Sequence, residues 1–320
     1  MITNNNQVTT LELTLIICTY KRAASLAITL TALETQLPKD FQWEVIVVDN
    51  ADDIATQQTV ESFQDKLPVT LIVEKKAGQN SARNAALPHI KGDLVVFTDD
   101  DITPKENWLL SLYNAALENP DVSVFGGKII PVWGDETPWQ ANAWFASFVY
   151  ADQDLGNTQI NYVDGCYPSS PNMAIRKHVF EDGIWFNPKI GPIGNNRISG
   201  SESEFLSRVL AVNKGLYIPD SAVLHRITPN MLERHYLRKR AYTMGLGMSV
   251  WDANPANEAH LPKVFGIARY RIGRMLKAML KTLFHQICFN QQKTIEEECR
   301  VALDLGFCMG TWKNLKDTIN

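Results

Sequence analysis

Three consecutive carboxylates, Asp99, Asp100 and Asp101, directly follow Thr98 and a short apolar run at residues 94–97. Such a run is typical of a buried strand in an α/β sheet, where ligands bind beyond the carboxyl ends of the strands. Like charges this close repel one another unless a cation lies against them. Mg²⁺ and Mn²⁺ prefer carboxylate oxygens and leave positions open for phosphate and water. The triplet therefore predicts either a metal site that carries a diphosphate, or a solvated acidic turn before a helix led by Pro104.

Strand-like and helix-like patterns alternate along the chain up to this triplet. The apolar runs lie at residues 11–18, 43–48, 69–73 and 94–97, and the helical patterns between them lie at 23–36, 54–63 and 82–87. This alternation predicts a doubly wound α/β sheet. Right-handed crossovers would make its strands parallel, so Thr19, Asp49 and Asp99 should meet at one edge. The chain has neither GxGxxG nor GxxxxGK[ST], which indicates that metal and arginine, not a glycine-rich loop, hold the phosphates.

Four motifs in this order resemble those of the family 2 glycosyltransferases. They are LIICTYKR at residues 15–22, VIVVDN at 45–50, GQNSARN at 78–84 and VFTDDD at 96–101. The resemblance extends from about residue 13 to residue 225. It implies the GT-A fold, a Rossmann-like mixed α/β sheet flanked by helices. We accordingly expect a GT-A catalytic domain over residues 1–228 and a helical C-terminal extension over residues 229–320.

The resemblance also implies a role for individual side chains. The residues expected to bind the nucleotide sugar are Thr19, Tyr20, Arg22, Asp49, Arg83, Asp99, Asp100 and Asn172. Within this set Asp49 would contact the base and Asp99 the ribose, while Asp101 and His225 would hold Mn²⁺ or Mg²⁺. Other interpretations stay open, because an arginine such as Arg83 often forms only a surface ion pair, and a lone histidine is often structural. The segment that contains Asn172 would then be a plain edge strand.

The catalytic base is expected in SESEFLSR, residues 201–208, which resembles the family's Gly-Glu-Asp-x-Glu-Phe-x-x-Arg segment. Glu202 falls where the family has its catalytic Asp, and Ser201 replaces the preceding Glu. A Glu is one methylene longer, so Glu202 would serve only if its backbone lies slightly further back, and Glu204 is the second candidate. A base must reach the attacking hydroxyl, whereas carboxylates in a first helical turn also stabilise the helix without any catalytic role.

The function that follows from the resemblance is an inverting, metal-dependent glycosyltransferase of hexosyl type. It would move a sugar from a nucleoside diphosphate to an acceptor hydroxyl on a glycan or lipid-linked acceptor, in exopolysaccharide or cell-surface glycan synthesis. Two alternatives remain. A non-catalytic nucleotide-sugar-binding protein would explain the altered base motif. A sugar nucleotidyltransferase is less favoured, because the sequence after the first strand lacks a glycine-rich basic loop.

The C-terminal part of the chain is basic. Residues 226–285 contain 11 Lys and Arg against three Asp and Glu, a net charge of +8 in a chain whose total is −4. Helical patterns at residues 231–250 and 263–287 interleave apolar and basic residues. Such a helix contacts an anionic membrane surface or packs on the catalytic domain with a solvated basic face. We expect no nucleic acid partner, because no recognition motif accompanies the charge.

The remaining features concern location and loops. The five cysteines include no CxxC pair, residues 1–10 lack the pattern of a signal peptide, and no apolar run reaches 18 residues. We therefore expect a cytoplasmic protein, peripheral on the inner face of the plasma membrane. Residues 187–200, rich in Gly, Pro and Asn, predict a loop that closes over substrate. The aromatic segment at residues 133–150 predicts either a carbohydrate platform or core packing.

Overall fold

A computed structural model describes residues 12–36, 41–134, 136–142, 144–145, 149–163, 165–193, 196–251 and 261–319. The start of the chain and Phe148 of the aromatic segment lie outside the described residues. So does the centre of the predicted loop, at residues 194–195. Everything below refers to the described part of the chain.

A mixed sheet of nine strands forms the centre of the protein. Its strands are β1 Leu13–Thr19, β2 Trp43–Asp49, β3 Val69–Val73, β4 Leu94–Asp99, β5 Ile102–Pro104, β6 Val122–Val132, β7 Ile160–Asn161, β8 Met173–Arg176 and, after a separate hairpin, β11 Lys214–Arg226. The order is β3-β2-β1-β4-β8-β6-β11-β5, with β7 also paired to β11. Strands β1 to β4 are mutually parallel, while β8 runs antiparallel between β4 and β6. The parallel half of the sheet agrees with the sequence prediction.

Helices cover both faces of this sheet, and each face has its own apolar core. The helices are α1 Ala23–Leu33, α2 Ile54–Glu61, α3 Gln79–Ala86, α4 Trp108–Glu118, α5 His178–Glu181, α6 Ser201–Leu210, α7 Arg234–Trp251, α8 Arg269–Ile287 and α9 Gln291–Ile319. Alternate side chains of the buried strands serve the two cores: Leu15 and Ile17 of β1 face one, whereas Ile16 faces the other. This alternation follows from the two-residue period of a strand.

The structure rules out two of the alternative interpretations and changes one predicted loop. No helix begins at Pro104, because residues 102–104 form β5 and pair with β11, and α4 begins only after Asn107 turns the chain with a φ of 60°. Proline is tolerated there because β5 lies at the sheet edge. The strand that follows Asn172 is internal, not at an edge. Finally, part of the predicted 187–200 loop is a hairpin of two strands, β9 Gly191–Ile193 and β10 Asn196–Ile198.

The C-terminal helices pack on the rest of the chain through a third apolar cluster. Phe145 and Tyr150 of the aromatic segment are buried in it beside Leu237 of α7 and Ile295 of α9. The aromatic residues in the described part of that segment are therefore core material, one of the two predicted alternatives. Glycines let α7 and α9 approach closely, since a Cβ on Gly245 would lie 1.9 Å from the Leu303 carbonyl oxygen. No helix in the described residues is long and apolar enough to cross a bilayer.

Candidate active site

A cavity of about 560 Å³ opens beside the carboxyl ends of β1 and β4. Register pairs Thr19 with Asp49 and Cys18 with Asp99, so these strand ends meet as parallel strands require. The predicted site residues that line the cavity are Thr19, Tyr20, Arg22, Asp99, Asp100, Asp101 and His225. Those that do not line it are Asp49, Arg83, Asn172, Glu202 and Glu204. The sequence motifs thus supply seven residues of this cavity wall, and the functional roles expected of them stay predictions.

Arg22 is a cation that pairs with two carboxylates of the triplet. Its Nη1 lies 2.9 Å from Oδ1 of Asp100, and its Nη2 lies 2.8 Å from Oδ2 of Asp101. Thr19 Oγ1 donates a hydrogen bond of 2.6 Å to Oδ2 of Asp100. These contacts hold the Asp100 side chain in place. They also occupy N–H groups of Arg22, so fewer of them are available to bind phosphate than the sequence suggested.

Hydrogen bonds from α1 and from the end of β11 hold the backbone of the triplet in place. Ser25 and Thr29 of α1 both donate to the Asp100 carbonyl oxygen, at 2.9 and 2.8 Å. Arg226, at the end of β11, donates to the same oxygen at 3.1 Å, and its backbone N–H donates to the Asp101 carbonyl at 2.9 Å. Because α1 and β11 are each anchored in the fold, the turn that carries Asp101 is preorganised.

The three carboxylates differ in the direction in which their pKa values are shifted. Burial raises the pKa of Asp100 to about 6, despite the opposing charge of Arg22. It also raises the pKa of Asp99, aided by the charge of Asp101. Burial acts on Asp101 in the same direction, but the facing His225 and Arg22 outweigh it and hold the pKa of Asp101 well below its usual range. Asp101 is therefore the carboxylate that stays ionised most readily.

Asp101 and His225 have the chemistry of a pair of metal ligands. Oδ1 of Asp101 is buried without a hydrogen-bond partner, and Nε2 of His225 lies 3.6 Å away, beyond an ordinary hydrogen bond. Nδ1 of His225 lies 2.7 Å from the Tyr150 carbonyl oxygen. A carbonyl oxygen only accepts, so Nδ1 carries a hydrogen, and Nε2, which faces Asp101, is the nitrogen that offers a lone pair whenever the ring is neutral. Such a backbone contact also orients metal-binding histidines.

These two side chains would not by themselves make a complete metal site. Within the part of the chain that the structure describes, no three His, Cys, Asp or Glu side chains are arranged to hold an ion together. Any ion bound by Asp101 and His225 would therefore need further oxygen ligands from water or from a substrate phosphate, an arrangement that suits Mg²⁺ and Mn²⁺.

Arg83 links the acidic triplet to the predicted base. It is buried, and its Nη2 lies 2.8 Å from Oε1 of Glu202 and donates a 2.6 Å hydrogen bond to Ser170 Oγ. Ser170 in turn donates to Oδ1 of Asp99 at 2.8 Å. Arg83 is therefore not the surface ion pair that the sequence left open, and it does not reach the cavity wall. Its contact with Glu202 holds that side chain in place.

Glu202 is held ionised by this contact. Burial would raise its pKa, but the charge and hydrogen bond of Arg83 outweigh burial and lower the pKa to about 2. Oε2 accepts a 2.9 Å hydrogen bond from the neighbouring Ser201 hydroxyl, and 23% of the side chain remains exposed. Ser201, the departure from the family motif, thus serves as a hydrogen-bond donor to Glu202.

Glu204, the second candidate base, forms an ion pair with Arg208 one turn later in α6. The two contacts, Nε to Oε1 at 2.8 Å and Nη2 to Oε2 at 3.0 Å, occupy both carboxylate oxygens. Neither glutamate lines the cavity and each forms an ion pair, but Arg83 and Ser170 link Glu202 to Asp99 in the cavity wall, whereas Glu204 pairs with Arg208 on its own helix. This link favours Glu202 over Glu204.

Two residues predicted to bind the nucleotide sugar, Asp49 and Asn172, use their polar side-chain atoms in hydrogen bonds within the protein. The fully buried Asp49 accepts hydrogen bonds from the backbone N–H groups of Ala51 and Asp53, at 2.9 and 2.7 Å. The amide of Asn172 bridges Trp108, Ser221 and the Lys128 carbonyl, at 2.8 to 3.1 Å. Both side chains therefore shape the backbone around the site, and neither presents a free polar group to the cavity.

The sequence also missed several residues of the wall. Asn50 lines the cavity and holds the loop before α3, because its Oδ1 accepts from the Gly78 N–H at 2.8 Å. Arg197 of β10 and Arg240 of α7 also line the cavity. The basic composition of residues 226–285 was the only signal for Arg240, and periodicity does not reveal which of several neighbouring cations points inward.

Comparison with known proteins adds to this geometry. A family model described as glycosyl transferase family 2 matches residues 14–183. The glucosyl-dolichyl phosphate glucuronosyltransferase of Haloferax volcanii is 22% identical over 247 residues, which cover 76% of this chain and 78% of that protein.

Solved structures show the same fold. The mannosyltransferase PcManGT from Pyrobaculum calidifontis, in complex with GDP-Man and Mn²⁺, matches with a TM-score of 0.60 at 18% identity, covering 96% of this chain and 88% of that one. S. aureus TarS 1–349 in complex with UDP-GlcNAc matches with a TM-score of 0.54 at 17% identity, covering 92% and 90%. The predicted mixed sheet with flanking helices and C-terminal helices is thereby confirmed.

Proposed function

The chain belongs to glycosyl transferase family 2, and on this premise we propose that it is an inverting, metal-dependent enzyme of hexosyl type. The donor is a nucleoside diphosphate sugar, and the acceptor is a hydroxyl of a glycan or lipid-linked molecule. The setting is exopolysaccharide or cell-surface glycan synthesis. Relatives whose names include glucuronosyltransferase, hyaluronan synthase and succinoglycan biosynthesis protein support this setting.

One observation carries the proposal. The wall of a single cavity brings together the end of β1, the carboxylate triplet after β4 and His225 from β11. Its floor includes a buried carboxylate oxygen of Asp101 that has no hydrogen-bond partner. An unpartnered buried acceptor is costly, so its retention at a cavity supports a ligand for it.

The residues fit a divalent ion of the Mg²⁺ or Mn²⁺ kind, with Asp101 and His225 as its protein ligands. When bound, the ion would neutralise the negative charge on the diphosphate leaving group. Thr19 and Arg22 hold Asp100 in place beside Asp101, and Tyr20 provides an exposed ring at the mouth of the cavity. We propose that Asp99 faces the ribose, since it stands at the end of β4 in the wall.

Glu202 takes the proton from the acceptor hydroxyl. The hydroxyl oxygen forms the new bond to the anomeric carbon, and the bond from that carbon to the diphosphate oxygen breaks with its electron pair. Attack opposite the leaving group inverts the configuration. Arg83 keeps Glu202 ionised, but a pKa of about 2 makes a weak base. We therefore propose that the ion pair loosens when the acceptor binds.

The test compares two Asp→Asn variants. Asp101→Asn should lower kcat for nucleotide-sugar turnover by at least about 100-fold, because it removes a charge that stabilises the transition state. The control, Asp121→Asn, removes an exposed carboxylate that pairs with Lys214 far from the cavity wall, and should leave kcat unchanged. EDTA should abolish wild-type turnover, and Mn²⁺ or Mg²⁺ should restore it.

Three results would count against this function. Turnover that survives EDTA would refute the role of the metal. Nucleotide binding without transfer to any acceptor would favour a non-catalytic binding protein. Pyrophosphate release from a nucleoside triphosphate and a sugar phosphate would indicate a nucleotidyltransferase.

We also propose that α8 lies on the cytoplasmic face of an anionic membrane and brings the enzyme to a lipid-linked acceptor. Its inner face packs on α9, where Arg271 stacks 3.5 Å from the Phe307 ring centroid. Its outer face exposes four apolar residues at helical spacing: Leu276, Leu280, Leu283 and Ile287. The helix has five Lys and Arg and no Asp or Glu, so its charge complements anionic lipid.

The division of the chain at residue 228 is part of this proposal. The catalytic side of that boundary supplies the acidic triplet, while the helical extension supplies Asn230, Tyr236 and Arg240 to the same wall. We therefore propose that the extension completes the active site as well as contacting the membrane.

A further inference from the structure

Two arginines in the cavity wall have no acidic partner. Arg197 comes from β10 and Arg240 from α7, and no carboxylate in the described residues lies within ion-pair distance of either guanidinium. The Nε atoms of both are buried without a hydrogen-bond partner. By contrast, Arg22 and Arg83 in the same region are paired with Asp and Glu. This part of the cavity wall therefore carries positive charge that no ion pair in the described part of the chain compensates.

The two side chains are held together by tightly packed backbone. Ser199, two residues after Arg197, donates its N–H to the Thr243 carbonyl of α7 at 3.1 Å. Arg240 Nη1 donates to Ser199 Oγ at 3.2 Å. A Cβ on Gly247 would lie 1.7 Å from the Ser199 carbonyl oxygen, so the hairpin and helix touch at backbone level. The arginines are thus not free to separate, although their like charges repel.

This arrangement costs stability in the absence of a ligand. Burial, followed by the charge of Arg197, lowers the pKa of Arg240 to about 9. Unpaired buried charge is retained in proteins chiefly where an opposite charge binds. Two guanidinium groups present several N–H donors in planar forks, which match the oxygens of a phosphate or carboxylate.

Arg240 lies close to the start of the helix that carries the candidate base. Arg240 is influenced electrostatically by Glu202 and Asp99, and it contacts Ser199 just before the helix that carries Glu202. Asp101 and His225 face each other across the β4 and β11 ends instead. An anion held by the arginines would accordingly lie beside the candidate base, where sugar and acceptor meet.

We propose that Arg197 and Arg240 form an oxyanion-binding subsite that recognises an acidic group next to the reacting hydroxyl. The group is a carboxylate on the transferred sugar or a phosphate on the acceptor, and both present the same oxygen chemistry to the pair. The inference rests on the proposed function, because it takes the cavity as the place of glycosyl transfer. It adds that the enzyme handles an acidic substrate.

The experiment uses Arg197→Gln and Arg240→Gln, with Arg238→Gln as a matched control on the exposed face of α7. Inorganic phosphate and glucuronate are titrated calorimetrically into the free protein and into protein loaded with Mn²⁺ and UDP or GDP. The wild type and Arg238→Gln should bind at least one anion, and the two test variants should bind it at least tenfold more weakly. Their nucleotide affinities should stay within about threefold of wild type.

The two sources of the anion give different results, and either supports the subsite. A donor carboxylate predicts that UDP-glucuronate binds more tightly than UDP-glucose, a difference that Arg240→Gln abolishes. An acceptor phosphate predicts that phosphate binds to nucleotide-loaded protein, with no preference between the two donors.

Thermal unfolding provides a second readout that a merely structural role would not reproduce. Arg197→Gln should raise the Tm of the ligand-free protein, because it relieves repulsion, and should remove the stabilisation that phosphate gives the wild type.

Equal loss of UDP or GDP binding in the arginine variants would overturn the proposal and indicate that the pair binds the diphosphate. Absence of anion binding to free and loaded wild type would also overturn it. A wild type that binds phosphate but no nucleotide would refute the proposed function alone.

Discussion

Arg83 and Glu202 show how a residue far away in sequence sets the state of a candidate catalytic group. They are separated by 119 positions, yet their side chains lie 2.8 Å apart. Burial by itself would favour the protonated carboxyl, and the Arg83 charge reverses that preference. Arg83 should therefore control the pH dependence of catalysis without touching the substrate.

Replacement of this arginine should therefore move the acidic limb of the pH–rate profile. A base works only when ionised, so activity falls as the pH drops through its pKa. With a pKa of about 2, Glu202 stays ionised throughout an ordinary assay range. In Arg83→Met, only the hydrogen bonds from Ser201 and the backbone still oppose burial, so the pKa rises and kcat should decline at higher pH than in the wild type. The measurement is kcat between about pH 5 and 9.

Arg208→Met is the matched control, because it removes the partner of Glu204 in the same helix. Its profile should equal that of the wild type, and Glu202→Gln should lower kcat by about 10²- to 10⁴-fold with unchanged nucleotide affinity. If the profile of Arg208→Met shifts while that of Arg83→Met does not, then Glu204 is the base.

At the scale of elements, the position of α7 depends on glycine. Gly245 and Gly247 of α7, with Gly306 and Gly310 of α9, have neighbouring atoms so close that no Cβ fits without movement. The atoms nearest to Gly245 and Gly247 are backbone carbonyl oxygens, which do not move aside as a flexible side chain would. Because α7 also carries Arg240 and Tyr236 into the cavity wall, helix packing and site geometry are linked.

A pair of Gly→Ala variants tests this dependence. Gly245→Ala should lower the free energy of unfolding by about 1–3 kcal/mol, since the methyl group would overlap the Leu303 carbonyl. Gly273 lies in α8, and a Cβ added there would have no neighbouring atom within 4 Å. Gly273→Ala should therefore raise the free energy of unfolding by about 0.5–1 kcal/mol, because alanine has the higher helix propensity. Denaturant titration measures both. Equal effects of the two substitutions would show that α7 and α9 are not packed at backbone distance.

At the scale of the whole molecule, charge is distributed unevenly. Residues 226–285 carry a net charge of +8 although the total for the chain is −4. The exposed apolar face of α8 lies in this basic part, where Leu280 is 69% exposed and Ile287 is 77% exposed. Because positive charge and apolar surface lie on the same helix, the protein would bind an anionic bilayer with α8 facing the lipid.

Vesicle sedimentation tests this orientation. Wild-type protein should bind vesicles of phosphatidylglycerol and phosphatidylcholine, more weakly as salt is added. Leu280→Glu combined with Ile287→Glu should weaken binding at least tenfold, because two apolar side chains no longer enter the bilayer. Leu117→Glu alters a leucine of α4 that is 50% exposed, and should leave binding unchanged. Equal weakening by the α4 variant, or no binding by the wild type, would contradict membrane contact through α8.

The sequence by itself determined the parallel strands, their polar ends and the place of the acidic triplet. These features depend on local periodicity and on residue type, since a buried strand needs apolar side chains and a parallel sheet brings strand ends together. Thr19, Arg22, Asp101 and His225 accordingly line one cavity, as their motifs indicated.

Only the tertiary structure decided how the polar side chains are used. Asp49 and Asn172 carry family motifs, but hydrogen bonds to nearby backbone and side chains occupy them. Arg197 and Arg240 belong to no motif, yet packing of the hairpin against α7 turns both towards the cavity. Partner choice in an ion pair or hydrogen bond depends on distances between segments remote in sequence, and no local pattern encodes those distances.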